Sequence, residues 1–241
     1  MAQYIYGRNT VKEKLESDEN IEEAYILEGL KDDKLMNLLS KKKIKINKCN
    51  RARLDKIVNN SFHQGVILKV REYKTYDLNQ LIEDNENNEN SLLLILDGVV
   101  DPHNLGAILR TSESIGVNGV IIPKNNSAPL NATVAKTSTG AIELIPVAKV
   151  VNLTTTITKL KEAGYWIVGA EAKESVDYRS VDYSGKIALV LGSEGYGISR
   201  LVLENCDYRV RLPMLGKITS LNVSVATGIL LYQVYNNRNP L

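Results

Sequence analysis

From about residue 91 onward, short continuous apolar runs alternate with segments in which apolar residues recur every three or four positions. The first pattern is typical of buried strands and the second of amphipathic helices. Strands are predicted within 91–99, 119–123, 142–148, 165–172, 186–197 and 208–213. Helices are predicted within 104–116, 131–141, 153–164, 198–206 and 220–234. Strands of this kind between helices predict an α/β domain whose parallel sheet is covered on both faces.

The earlier part of the chain has the pattern of a smaller α/β unit. Helices are predicted at 10–17 and 33–42, and strands at 23–28, 43–49 and 64–70. All six prolines and 13 of the 16 glycines lie after residue 91, and residues 81–90 are acidic and low in complexity. We therefore predict one domain at 1–73, an acidic flexible linker at 74–90 and a second domain at 91–241.

Composition narrows the class of protein. Apolar residues make up 44% of the chain, as in globular proteins. No apolar stretch reaches the length of about 18 residues that a membrane span needs, and the first ten residues lack the apolar run of a signal peptide. Two cysteines cannot form a disulfide framework, so we expect a reducing, cytoplasmic location. No zinc-ligand spacing is present, and we expect no metal.

The net charge of +2 is small, but its distribution is uneven. Residues 1–72 carry 15 Lys and Arg against 11 Asp and Glu, and the basic residues are densest within 41–56. This run is either a solvated helix end and strand edge or a surface that contacts phosphates. Under the second interpretation the candidate phosphate-binding residues, and so candidates for binding a nucleic acid, are Lys41, Lys42, Lys43, Arg51 and Arg53.

The first candidate motif is "LDGVVDPHNLGAILRTSESIG" at 96–116, where a strand leads through an Asp-Pro turn into a helix. It lacks the G-x-G-x-x-G pattern of common nucleotide sites. It does place Asn104 and Arg110 near the carboxyl end of a strand, where ligands bind in sheets of this kind. The alternative is that Asn104 caps the helix and Arg110 is a surface charge.

The second motif is "LVLGSEGYGIS" at 189–199. Gly192, Gly195 and Gly197 permit a close backbone approach or a positive φ, and Glu194 lies between them at a strand end. No P-loop lysine is present, so nucleoside triphosphate binding is not favoured. The alternative is a glycine-rich turn that ends at Ser199.

The third motif is "LPMLGKITSLNVSVA" at 212–226. Pro213 and Gly216 bend the chain, and Ser220 and Asn222 precede an apolar helix. Exposed helix N–H groups and these two side chains are suited to contact a polar ligand. The alternative is plain N-capping.

Taken together and in this order, the three motifs closely resemble those of the SpoU family of RNA ribose 2′-O-methyltransferases, in the SPOUT superfamily. The resemblance covers residues 91–238. In addition, "YGRNTVKEKL" at 6–15 and "FHQGVIL" at 62–68 resemble the RNA substrate-binding domain of bacterial members. The combination is most similar to members that methylate a guanosine ribose in the peptidyl-transferase region of large-subunit rRNA.

The resemblance implies an α/β domain with a trefoil knot that includes residues 212–221 and holds S-adenosylmethionine. It also implies a homodimer whose site is completed across the interface. The residues that it assigns to the cofactor are Gly192, Leu212 and Leu221 through their backbones, with Gly197, Ile198 and Met214 beside them.

By the same resemblance, Arg110 activates the ribose 2′-hydroxyl. Arginine is effectively always protonated, so the physical account is that Arg110 positions a phosphate and stabilises the developing alkoxide. Asn104, Glu194, Ser220 and Asn222 would orient Arg110 or the ribose. Two alternatives stay open: a methyltransferase that acts on a tRNA ribose, and a non-catalytic RNA-binding protein of the same fold.

Overall fold

A computed structural model of the chain describes residues 3–17, 21–59, 62–71, 73–217 and 220–240. The chain divides into two compact units, one built on residues up to Tyr73 and the other on residues from Lys74. In the described part of the chain, no helix is long and apolar enough to cross a bilayer. Cys49 and Cys206 are both free. Burial raises the pKa of the Cys206 thiol to about 11, so this thiol stays protonated at neutral pH.

The amino-terminal unit is a four-stranded sheet with helices on both faces. Its elements are β1 (Gln3–Tyr6), α1 (Arg8–Ser17), β2 (Ile21–Leu27), α2 (Asp33–Lys41), β3 (Lys45–Cys49), α3 (Arg51–Ile57) and β4 (Val66–Val70). The strand order is β1-β4-β2-β3, and β2 and β3 form the parallel pair.

Successive residues of β4 point to opposite faces of this sheet. Val66 and Leu68 pack in a core with Leu15 of α1 and Leu39 of α2. Ile67 packs in a second core with Leu54 of α3 and with Cys49 and Val58. The predicted helices and strands of this unit are confirmed, whereas β1 and α3 are additions that the pattern did not reveal.

The carboxyl-terminal unit is a seven-stranded parallel sheet. Its elements are α4 (Leu78–Glu83), β5 (Leu92–Asp97), α5 (Pro102–Ile115), β6 (Gly119–Pro123), α6 (Ala132–Thr137), β7 (Val147–Val150), α7 (Leu153–Glu162), β8 (Trp166–Ala170), β9 (Val176–Asp177), β10 (Ile187–Gly192), α8 (Arg200–Glu204), β11 (Tyr208–Arg211) and α9 (Val223–Arg238). The strand order is β7-β6-β5-β10-β8-β11-β9. The predicted α/β architecture is therefore confirmed.

The centre of this sheet explains its continuous apolar strands. β5 and β10 lie side by side in the middle, and the register pairs Ile187 with Leu92 and Gly192 with Asp97. Their side chains are buried on both faces, as expected for a parallel sheet covered by helices. The paired ends at Asp97 and Gly192 bring the loops that follow β5 and β10 to the same edge of the sheet.

The linker prediction is wrong for the middle of residues 74–90. Asp77 caps α4 by accepting a 2.8 Å hydrogen bond from the backbone N–H of Asn79. Leu78 and Leu81 of this helix lie in the core of the carboxyl-terminal unit. Gly119 leaves the space that Leu81 fills, because a Cβ there would lie 2.6 Å from a Leu81 methyl group. Most of the acidic residues of the segment, Asp84, Glu86 and Glu89, come after the last residue of this helix.

Two smaller boundaries also differ from the prediction. Residues Ala141–Glu143 form a short 3-10 helix, and β7 begins only at Val147. α5 begins at Pro102 rather than near Asn104, because Asp101 is its N-cap and accepts a 2.9 Å hydrogen bond from His103 N–H. The segment 212–221 of the expected trefoil knot includes residues 218–219, which lie outside the described residues. The knot stays a prediction.

Candidate functional site

The candidate site lies at the carboxyl-terminal edge of the central strands. The loops after β5, β8, β10 and β11 meet there, which is where ligands bind in open parallel sheets. The backbone N–H of Ser199 donates a 2.8 Å hydrogen bond to Asp97 Oδ2. The loop after β10 is thereby attached to the end of β5.

The loop after β10 is a tight turn that requires glycine. Ser193 and Gly197 exchange backbone hydrogen bonds of 3.1 and 2.9 Å. A Cβ on Gly192 would overlap the backbone of Gly197 and Ile198, and Gly197 has a φ of +67°. The turn leaves Glu194 exposed and the side chain of Tyr196 97% exposed. Glycine at 192 and 197 is therefore explained by the geometry of the turn itself.

Asn104, Glu194 and Asn222, one from each motif, form a hydrogen-bonded cluster. Asn104 Nδ2 donates to Glu194 Oε1 at 3.1 Å, and Asn222 Nδ2 donates to Asn104 Oδ1 at 2.9 Å. Asn222 Nδ2 also donates to Glu194 Oε1, as does the backbone N–H of Val223 at 3.4 Å. One carboxylate oxygen of Glu194 thus accepts hydrogen bonds from three N–H donors, which joins the first and third motifs to the second at a single atom.

For Asn104 and Asn222, the hydrogen bonds of the cluster distinguish a residue of the site from a plain helix cap. Asn222 is the N-cap of α9, since its Oδ1 accepts from Ser224 N–H at 2.9 Å, but its amide nitrogen is engaged in the cluster. Asn104 is not a cap, because Asp101 has that place and Asn104 lies in the first turn of α5. Plain N-capping therefore does not account for these two side chains.

Two adjoining cavities of about 270 and 170 Å³ lie beside the cluster. They share six lining residues, namely Ala170, Glu171, Ala172, Ser220, Leu221 and Ala226. We call these two cavities the cleft. The larger cavity also contacts Gly192, Glu194 and Gly197, and the smaller one contacts Leu212 and Met214. Five of the six residues assigned to the cofactor by resemblance therefore line one cleft.

The sixth residue, Ile198, does not line the cleft. Its side chain is 5% exposed and packs in the core of the unit, where its Cδ1 lies against Gly169. Ser220 lines the cleft and takes no part in the hydrogen bonds of the described cluster. The cleft also contains Glu171, which the sequence analysis missed. Its Oε1 accepts from the backbone N–H groups of Ala172 and Lys173 at 2.7 and 3.1 Å. Glu171 directly follows the apolar strand 166–170, and this position is the feature of the sequence that identifies it as a candidate.

Arg110 lies apart from the cluster. It is an exposed residue of α5, and in the described part of the chain no hydrogen bond or ion pair engages its guanidinium. It also lines neither cavity of the cleft. The structure therefore brings Asn104, Glu194 and Asn222 together and leaves Arg110 outside the cluster.

The basic residues of 41–56 fall into two groups along the chain, one before β3 and one after it. Lys41 ends α2 and Lys43 lies in the turn before β3, whereas Arg51 and Arg53 begin α3 after β3. Five residues of an extended strand span roughly 17 Å, so the two groups lie at opposite ends of β3. Between them, Lys45 pairs with Glu23 at 3.4 Å. Among the described residues, no three His, Cys, Asp or Glu side chains converge as a metal site requires.

Comparisons with known proteins agree with this geometry. The model of the SpoU rRNA Methylase family matches residues 91–232, and the model named RNA 2′-O ribose methyltransferase substrate binding matches residues 4–76. A Bacillus subtilis protein assigned to the TrmH family of tRNA/rRNA methyltransferases is 45% identical over 242 residues, covering 99% of this chain and 97% of that protein.

Two solved structures are also similar. The AdoMet-bound rRNA methyltransferase from Sinorhizobium meliloti has a TM-score of 0.64 and 25% identity, covering 100% of this chain and 88% of that one. The TrmH/SpoU tRNA modifying enzyme of A. aeolicus has a TM-score of 0.58 and 35% identity, covering 67% of this chain and 82% of that one.

Proposed function

Because this chain belongs to the SpoU rRNA Methylase family and is an RNA methyltransferase, we propose that it methylates a ribose 2′-hydroxyl of RNA with S-adenosyl-L-methionine as donor. The observation that carries the proposal is the cluster of Asn104, Glu194 and Asn222 beside the cleft. Three motifs that are distant in the chain supply one polar side chain each, at the edge of the sheet where ligands bind.

The cleft suits S-adenosylmethionine. Leu212, Leu221 and Ala226 offer apolar walls, and the carboxylates of Glu171 and Glu194 offer negative charge. The donor carries a positively charged sulfonium and an ammonium group, both of which these carboxylates complement. When bound, the donor supplies an activated methyl group. The AdoMet-bound structure from Sinorhizobium meliloti supports this choice of cofactor.

The residues of the chain position the nucleophile and stabilise its charge. Glu194 holds Asn104 and Asn222 in fixed orientations, so their amides are preorganised to position a ribose. Ser220 lies at the cleft and also orients the ribose. Arg110 holds the neighbouring phosphate and stabilises the negative charge that develops on the 2′-oxygen as its proton passes to solvent water, since a guanidinium does not act as a base.

The position of Arg110 favours a site that two protomers complete. α9 exposes apolar side chains on the face opposite its buried residues: Val225, Ile229 and Tyr232 are 51%, 37% and 50% exposed. A helix that is apolar all round is normally buried. α9 packs against α5, which carries Arg110. We therefore infer a symmetric dimer through this face, in which Arg110 serves the cleft of the partner subunit.

Large-subunit rRNA is the preferred substrate, and a guanosine of the peptidyl-transferase region the preferred target. The match to the SpoU rRNA Methylase model and the similarity to the rRNA methyltransferase of Sinorhizobium meliloti support rRNA as the substrate. The tRNA alternative is kept because the A. aeolicus neighbour is a tRNA modifying enzyme and the Bacillus subtilis relative is described for both RNAs. A cytoplasmic location stays a prediction from the cysteine content.

The test combines cofactor binding with mapping of the modified nucleotide. Calorimetric titration of the purified protein with S-adenosylhomocysteine, without added metal, is expected to show binding. Sequencing of 2′-O-methyl positions in rRNA and tRNA, with and without the gene, is expected to show one rRNA position that disappears. A change confined to tRNA favours the second candidate. Absence of both binding and any lost methyl group contradicts an enzymatic role and favours the non-catalytic RNA-binding protein.

A further inference from the structure

A cavity of about 350 Å³ opens on the amino-terminal unit, between the start of α3 and the loop that precedes β4. Its lining residues are Leu27, Arg51, Asp55, Phe62, His63, Gln64 and Gly65. We call it the amino-terminal pocket. None of these residues takes part in the proposed reaction, and only Arg51 is among the candidate phosphate-binding residues named above.

Phe62 provides a large exposed ring at this pocket. It is the only phenylalanine in the chain, and its side chain is 81% exposed. A single exposed apolar residue is ordinary by itself. What distinguishes Phe62 is that a carboxylate, an amide and one arginine side chain line the same concave surface.

The wall behind Phe62 is rigid. His63 is 5% exposed, and its Nδ1 accepts a 2.9 Å hydrogen bond from the backbone N–H of Gly65. The proton of the neutral ring is therefore assigned to Nε2, which donates to Asp55 Oδ1 at 2.9 Å. Gly65 has a φ of +82°, and a Cβ there would lie 3.2 Å from Leu27 Cβ. These contacts fix both the loop and the Asp55 carboxylate.

Gln64 ties an arginine to the same loop. Its φ of +53° is uncommon for a residue with a side chain. Its Oε1 accepts from Arg8 N–H at 2.7 Å, and its backbone oxygen accepts from Arg8 Nε at 3.4 Å. On the other side, Arg51 is 80% exposed, and its Nε lies 3.9 Å from Asp55 Oδ2. Arg51 thus lines the pocket together with the exposed ring, and Arg8 is held against the loop at Gln64, two residues from Phe62.

We propose that the amino-terminal pocket binds one unpaired nucleotide of the RNA substrate. The ring of Phe62 stacks on the base, Arg8 and Arg51 contact the adjoining phosphates, and Asp55 accepts a hydrogen bond from a base amino group. This rests on the proposed function, since it takes RNA as the substrate. The nucleotide is unpaired because the bases of an A-form duplex are stacked on one another and closed to an aromatic side chain.

The test measures binding of the full chain to a short oligoadenylate strand and to the same strand annealed to its complement. Phe62→Ala is expected to weaken binding of the single strand by about 5- to 150-fold, the usual contribution of one base–aromatic stack. Phe62→Trp keeps a planar ring and retains affinity, whereas Phe62→Leu keeps only apolar bulk and weakens binding. Binding of the duplex is expected to be unchanged in all three variants.

Two further variants separate stacking from charge. Arg51→Ala is expected to reduce the dependence of log K on log salt by about one unit of slope, while Phe62→Ala leaves the slope unchanged. Val151→Ala is the matched control, because Val151 is also 81% exposed but belongs to the other unit. It is expected to bind both RNAs as the wild type does.

Unchanged single-strand affinity in Phe62→Ala, or an equal loss for strand and duplex, would overturn the proposal. Titration of the same preparations with S-adenosylhomocysteine keeps the two proposals distinguishable. If the wild type binds the cofactor but Phe62→Ala leaves strand affinity unchanged, only the nucleotide pocket fails. If the wild type binds no cofactor, the proposed function fails, and the loss of strand affinity in Phe62→Ala still supports the pocket.

Discussion

Asn104 Nδ2 donates a 3.1 Å hydrogen bond to Glu194 Oε1, across 90 positions of sequence. Asn222 joins the pair by donating to Asn104 Oδ1 at 2.9 Å. Each residue comes from a different loop, so the cluster fixes the relative positions of three loops at the edge of the sheet. A substitution at one of these three residues therefore alters the contribution of the other two to stability.

We predict measurable energetic coupling between Asn104 and Glu194. In a double-mutant cycle with Asn104→Ala and Glu194→Ala, the coupling in the free energy of unfolding should be about 0.5–1 kcal/mol, toward the low end for contacting residues because the pair is exposed to water. Urea denaturation of the four proteins measures it. In a control cycle, Glu162→Ala takes the place of Glu194→Ala. Glu162 is an exposed residue at the end of α7, near the opposite edge of the sheet. Additive effects of Asn104→Ala and Glu194→Ala would contradict the coupling.

Two glycines of the second motif should respond differently to alanine. A Cβ at position 192 overlaps the backbone of Gly197, whereas a Cβ at position 195 meets nothing within 4 Å. Gly192→Ala should lower the free energy of unfolding by about 3 kcal/mol or more, since backbone cannot yield as a side chain can. Gly195→Ala should change it by less than about 0.5 kcal/mol. Similar stabilities would show that the turn is not as the structure describes it.

The alternation of apolar runs and amphipathic segments predicted the parallel sheet because strand and helix periodicities are local properties of the chain. The same local evidence failed at Leu78 and Leu81, where acidic neighbours masked a helix of fewer than two turns. Short amphipathic segments offer few apolar positions, and the buried space left by Gly119 is a tertiary feature that spacing does not reveal.

The sequence predicted which residues form the candidate site but not how they are arranged in space. The three motifs named Asn104, Glu194 and Asn222, yet their hydrogen bonds depend on the folding of loops 28 to 118 residues apart. Spacing also suggested one basic patch at 41–56. In the structure β3 lies between Lys41 and Arg51, so the run is divided into two groups, a division that spacing alone does not reveal.

The two basic groups at the ends of β3 should contribute separately to RNA binding. Lys41→Glu with Lys43→Glu tests one end, and Arg51→Ala with Arg53→Ala tests the other. Each lost phosphate contact should reduce the slope of log K against log salt by about one. Filter binding to a large-subunit rRNA fragment over a salt series measures the slope, and cofactor titration confirms that the cleft is intact. An unchanged slope at one end would identify those residues as a solvated surface.

Arg110 should affect the reaction without affecting the cofactor. Removal of one preorganised donor typically lowers the rate by about 100- to 1000-fold. Arg110→Ala is therefore expected to reduce single-turnover methyl transfer by that amount while S-adenosylhomocysteine affinity stays near wild type. Arg110→Lys keeps the positive charge but loses the planar guanidinium, so it should restore little of the methyl-transfer rate. Normal turnover in Arg110→Ala would show that this is an ordinary surface arginine.

The last prediction is that two inactive variants restore each other. Leu221→Arg should obstruct the cleft, and Arg110→Ala should remove the alkoxide stabiliser. If Arg110 serves the cleft of the partner subunit, a mixed dimer has one complete site, and an equal mixture that exchanges subunits should recover about a quarter of the wild-type rate. Ile229→Asp in both variants should disrupt the exposed apolar face of α9 and abolish the recovery, with sedimentation reporting monomers. A mixture that stays inactive although mixed dimers form would mean that each protomer contains its own complete site.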